Sequence, residues 1–140
     1  MMNDPLPLPD HVARYCKPTT IDAGEVQASA FLLREGEPYL STNWLEQLDQ
    51  GELETQLRLL REVCKTKGLR LATTGLLARF NVGDTKQVVI RECNKHIPFD
   101  VLHKPEDNDS SHSGMCGIVD EVELVAELLV EAIMSTHSTR

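Results

Sequence analysis

The sequence predicts a single compact domain of the α/β or α+β class, with a small sheet packed by two main helices. Three observations predict it. The chain has 140 residues, the length of one ordinary domain with a real core. Short apolar runs bounded by turn formers alternate with segments of helical periodicity. No internal repeat or low-complexity stretch interrupts that alternation. Aromatics make up only 4% of the residues, so the core must rest on Leu, Val, Ile and Ala.

In chain order, residues 1–10 ("MMNDPLPLPD") hold three prolines and no apolar period. They read as a flexible lead that packs little, ahead of a domain over 11–140. "HVARYCKPTTIDAGEV" is mixed and interrupted by Pro18 and Gly24, while "ASAFLLRE" suits a first strand. "LSTNWLEQLDQG" reads as a helix start, with Ser41, Thr42 or Asn43 as cap and Glu46 in the capping-box relation to Asn43. Trp44 would then lie in the first turn, as a core or interface anchor.

"ELETQLRLLREVCKTKG" is the clearest helix of the first half. Leu53, Leu57, Leu60 and Cys64 share a stripe, Glu54 can pair with Arg58, and Gly68 supplies the stop. "LRLATTGLLARFNVG" alternates through Ala78, Phe80 and Val82 as a strand does, or as two strands joined around Thr74-Gly75. "DTKQVVIRECNK" fits a short helix capped by Asp84 better than a strand, and "IPFDVLH" fits a strand opened by Pro98. The last element is a helix introduced by Asp120 and Glu123. Val122, Val125, Leu128, Leu129, Ala132 and Ile133 form its apolar face, and Glu123, Glu127 and Glu131 line another side.

The net charge of −8 argues against broad nucleic-acid binding, which needs a basic surface, and is compatible with a protein partner that has one. Solubility is the simpler reading of the acid. No window suits a membrane span and the first residues lack a signal-peptide pattern, so a cytoplasmic protein is expected. Cys16, Cys64, Cys93 and Cys116 are scattered and expected to be free thiols.

No phosphate-binding glycine loop, nucleophile elbow, HExxH or paired CxxC occurs. What remains is a histidine and cysteine constellation in the second half, with three readings. Cys93 and His96, then His112 and Cys116, have spacings that a structural zinc site could use; otherwise no cofactor is expected. His103 and His112, on either side of a polar loop, could share acid–base work on a phosphoester, with Asn108, Ser111 and Ser113 as donors. In the third reading the same histidines tie the loop down through backbone carbonyls and the loop displays a recognition surface. That reading needs the fewest assumptions.

Three blocks carry a resemblance: "HVARYCKPTTI", "AFLLREGEPYLSTNWLE" and "VLHKPEDNDSSH". The chain resembles a set of small uncharacterised bacterial proteins with an "AF.LR..E.YLS.NWLE" block and a late HxPxxxNxxH stretch. His103, Pro105 and Asn108 match the latter, with His112 one residue farther on. The resemblance implies a bacterial intracellular protein linked to defence or toxin-type partners, and no activity.

The expectation is therefore a partner-binding accessory or regulatory protein, leaning away from an enzyme. Trp44, Asn108, Ser113 and the row Glu123, Glu127, Glu131 would face a partner. The alternatives are a hydrolase using His103 and His112, and a zinc-stabilised binding module.

Overall fold

The computed structural model describes residues 3–140. Its frame is one antiparallel sheet of six strands: β1 (His11–Cys16), β4 (Leu40–Trp44), β5 (Leu76–Asn81), β6 (Asp100–His103), β7 (His112–Cys116) and β8 (Ser135–Ser138). Their order is β6-β7-β4-β1-β5-β8, and a separate two-stranded ribbon joins β2 (Ile21–Asp22) to β3 (Glu25–Val26). The helices are α1 (Leu45–Leu48), α2 (Leu53–Thr66), α3 (Val82–Glu92) and α4 (Val122–Ala132). The α+β class holds; the sheet is larger than expected, and α3 joins the two main helices in covering it.

Alternation along the strands explains the layering. Val12, Leu40, Phe80, Val101 and Met115 point to one face and pack with α3, α4 and the 3-10 turn Ala28–Phe31. Ala13 and Leu77 point to the other and pack with Leu45 of α1 and Leu57, Leu60 and Cys64 of α2. Among the described residues, no helix is long and apolar enough to cross a membrane.

The helical expectations hold best. Leu57, Leu60 and Cys64 are buried as their stripe predicts. Gly68, at φ +77°, closes α2 with its own N–H on the Lys65 carbonyl and the Leu69 N–H on that of Cys64. Arg58 pairs with Glu62 at 3.5 Å rather than with Glu54. The helix expected around Asp84 is α3, but its cap is Asn81, whose side chain accepts from the Asp84 N–H. Likewise α4 is preceded by Glu121 in a left-handed conformation with no side-chain cap, so the capping expected of Asp120 is not made.

Several strands were not legible. β1 carries Arg14, whose guanidinium escapes the core by donating to the carbonyls of Ala30 and Ser41. Ser41, Thr42 and Asn43 belong to β4 rather than capping a helix, and Trp44 ends that strand. "ASAFLLRE" is no strand: Phe31 turns inward there and meets Phe80 edge-on at 5.5 Å. β7 occupies "HSGMC", to which the sequence pattern assigns no element.

The proline-rich lead also departs from expectation. Leu6 is buried in the main core, and its N–H donates to the Val101 carbonyl. Asn3 N–H donates to His103 O, and His103 N–H to Asp4 O. Residues 3–6 thus run along the outer side of β6. The reason is geometric: proline lacks a donor, yet tolerates an outer edge where none is needed.

Burial at β1 makes a testable statement about thiols. No disulfide links the four cysteines. Cys16 is buried, and loss of solvation pushes its thiol up to about 11 although Arg14 opposes the shift. A disulfide reagent at about pH 8 should therefore label Cys93 and Cys116, which are half-buried, at least about tenfold faster than Cys16. Mass spectrometry of a time course checks this; early labelling of Cys16 in folded protein would contradict it.

Candidate functional site

β6 and β7 form a hairpin whose eight-residue connection is drawn back onto the sheet. At its tip, Glu106 and Asp109 exchange backbone hydrogen bonds in both directions, leaving Asp107 and Asn108 at the turn. Asn108 is exposed there.

The two histidines stand on opposite faces of the sheet. His103 is paired with Ser113, and His112 is the next residue along β7, so alternation sends their rings apart. His103 lies edge-on to Trp44, with ring centres 5.2 Å apart, and its Nε2 bonds the Ser110 carbonyl at 2.7 Å. His112 lies near Tyr39, and its Nδ1 bonds the Lys104 carbonyl at 2.8 Å. A carbonyl only accepts, so the proton is on Nε2 of His103 and on Nδ1 of His112. Each ring thus fastens one limb of the connection.

Asp109 is the centre of the arrangement, and sequence reasoning missed it. Its side chain is fully buried. Oδ1 accepts from the Ser111 N–H at 3.0 Å and the Ser111 hydroxyl at 2.6 Å. Oδ2 accepts from Asn43 Nδ2 at 2.7 Å and Lys67 Nζ at 3.0 Å. Lys67, just past α2, also pairs with Glu106 at 2.8 Å. Burial alone would raise the Asp109 carboxyl, but the bonds from Ser111, Lys67 and Asn43 hold it below its ordinary value. Burial likewise opposes the Lys67 charge, and bonds to Glu106 and Asp109 reverse the sign and raise it. The network ties the hairpin to β4 and to the end of α2.

Other expected residues fall as follows. Trp44 is half-buried and donates its Nε1–H to Asp10 at 2.8 Å. Ser113 is buried, hydroxyl to hydroxyl with Thr42 at 2.7 Å, and presents no donor to a ligand. Glu123, Glu127 and Glu131 are exposed along α4. Cys93 ends α3, which packs on the face opposite His112, and His96 is exposed, so the proposed zinc ligands are not brought together. Among the described residues, no three His, Cys, Asp or Glu side chains converge as a metal site.

A second polar contact, also unforeseen, lies at the start of β1. Glu46 accepts from the His11 N–H at 2.7 Å and meets His11 Nδ1 at 2.6 Å. Glu46 thus bonds β1 instead of closing a capping box. What the fold and these contacts define is an α+β domain with a buttressed hairpin at one end of its sheet. Comparison with family models, with curated proteins and with solved structures finds no match.

Proposed function

We propose that the chain is a partner-binding accessory or regulatory module, of the bacterial kind its sequence blocks resemble. One observation carries the reading: His103 and His112 are directed to opposite faces and each holds a backbone carbonyl. Two imidazoles so placed cannot hand a proton across one substrate. They hold a rigid connection, which is a good support for recognition.

The surface best suited to a partner is α4. Glu123, Glu127 and Glu131 form an exposed row with no ion pair to a cation among the described residues. Val119, before the helix, and Met134, after it, are exposed apolar residues at either end. An acidic stripe between two apolar points fits a protein with a basic, partly apolar surface.

The test uses tagged full-length chain and a lysate of its source cells. A stoichiometric basic partner should be retained, released by about 0.5 M salt, and lost when Glu123, Glu127 and Glu131 are all replaced by Gln. The triple variant should melt like the parent, since exposed sites rarely change stability by more than about 0.5 kcal/mol. Retention of the partner by the triple variant would refute the α4 assignment. Loss of a phosphoesterase turnover in a folded His103→Ala, His112→Ala protein would refute the module reading itself.

A further inference from the structure

The other helical layer carries a surface of the opposite sign. A groove of about 890 Å³ opens between α2 and the segment 69–73. Arg58, Arg61, Lys65, Arg70 and Arg140 line it against one acid, Glu62, in a chain whose net charge is −8. Leu69, Leu71 and Ala72 supply an apolar floor, and Leu69 is 52% exposed. Arg58, Arg61 and Lys65 share one face of α2 at i, i+3 and i+7, and the fold adds Arg70 from the connection after the helix and Arg140 from beyond β8.

Two arginines on this side of the sheet carry a buried nitrogen that is not hydrogen-bonded. Arg61 donates one Nη2–H to the Ser138 carbonyl at 2.8 Å, but its buried Nε has no partner among the described residues. Arg79 on β5 is in the same condition at its own Nε. His137, on the same sheet face, is pushed down by burial and then by Arg79 and Arg61, with Glu54 opposing. Arg61 and Arg79 thus each keep one buried nitrogen without an acceptor on this side of the sheet, beside the exposed cations of the groove.

We propose that this groove binds an acidic, partly apolar peptide segment of a partner protein. The geometry favours a peptide on three counts. Arginine, which provides most of the cations, offers a planar fork that matches carboxylates. The Leu69 and Leu71 floor would cover apolar side chains between the acids. Finally, Thr139 and Arg140 carry the groove to the end of β8, which among the described residues is an edge strand paired with β5 alone, where an extended segment can lie. A long nucleic acid would meet the acidic remainder of the surface. The site is on the opposite face from α4 and does not depend on the α4 assignment.

The experiment titrates full-length chain against a fluorescein-labelled peptide of about ten alternating Glu and Leu residues, followed by anisotropy. Saturable binding is expected, weakened about tenfold or more by Arg58→Glu with Arg70→Glu, and by added salt. The Gln variants of Glu123, Glu127 and Glu131 should bind the peptide as the parent does, which separates failure here from failure at α4. Should the double Arg variant misfold, amide shifts of the parent during titration take its place, with changes expected over 58–73 and 135–140. Shifts elsewhere, unchanged binding by a folded Arg variant, or tighter binding of a single-stranded oligonucleotide of similar length would overturn the proposal.

Discussion

Replacing Asp109 by Ala is expected to lower the unfolding free energy by about 3 kcal/mol, because it leaves half-buried Lys67 with Glu106 alone as its carboxylate and takes from Asn43 and Ser111 the acceptor they share. Equilibrium denaturation in urea measures it. Asp109→Asn should rescue little. Its amide would have to turn an NH2 toward either Ser111 or the pair Asn43 and Lys67, all of them donors to this side chain. The loss should also change the pH dependence. The Asp109 carboxyl is held below its unfolded value, so its contribution is present above about pH 4 and fades as pH falls through the folded value. Lys67 is held above its unfolded value, so its contribution is present below about pH 10 and fades as pH rises through the folded one. Asp109→Ala should flatten the acid limb relative to the parent. A variant within about 0.5 kcal/mol of the parent would show that the network is not a mainstay of the fold.

Gly117→Ala should be comparably severe, about 3 kcal/mol or more, since it combines two penalties. Gly117 sits at φ +78°, and a Cβ there would lie 2.1 Å from the Pro98 carbonyl oxygen, a backbone atom with nowhere to move. Gly68 separates the penalties. It has a similar φ of +77° but open space around the added methyl, so Gly68→Ala should cost only about 1 kcal/mol. Denaturation midpoints of both variants, at equal slope, give the difference due to the collision. Equal losses at the two positions would show that backbone handedness alone sets the penalty.

The amphipathic helices were legible because their burial follows one stripe. Leu57, Leu60 and Cys64 read as α2, and Val125, Leu128 and Leu129 as α4, from spacing alone. Strands with polar interiors were not. Thr42 and Ser113 are both buried in adjacent strands, and each looks like a loop residue until its hydroxyl is placed opposite the other. β8, with the sequence Ser-Thr-His-Ser, has no apolar residue at all and is defined by its partner β5. Gly114 reads as a turn former, yet it lies in β7 because the Tyr39 ring covers it and leaves no room for a Cβ.

The hairpin histidines were found because two histidines around a polar connection stand out by type and position. Asp109 did not stand out. It is one of several acids in "PEDNDSS", and its importance comes from Lys67, 42 residues away, and from Asn43, 66 residues away. Partnerships at such separations are set by the packing of α2 against the sheet, and no local pattern reports them. The basic groove was missed although Arg58, Arg61 and Lys65 share one face of α2, because the composition as a whole is acidic and Arg140 joins them only in the fold.

The proline-bearing segment that runs along the outer side of β6 limits how copies of this domain can join through the six-stranded sheet. Pro5 and Pro7 offer no N–H, so the outer rim of this segment is a poor template for another strand, and β8 is the edge of the six-stranded sheet left with an open ladder. Two molecules meeting through β8 would form a closed pair with both remaining flanks blocked. Among the described residues the six-stranded sheet offers no further open edge, so growth through that sheet ends at the dimer.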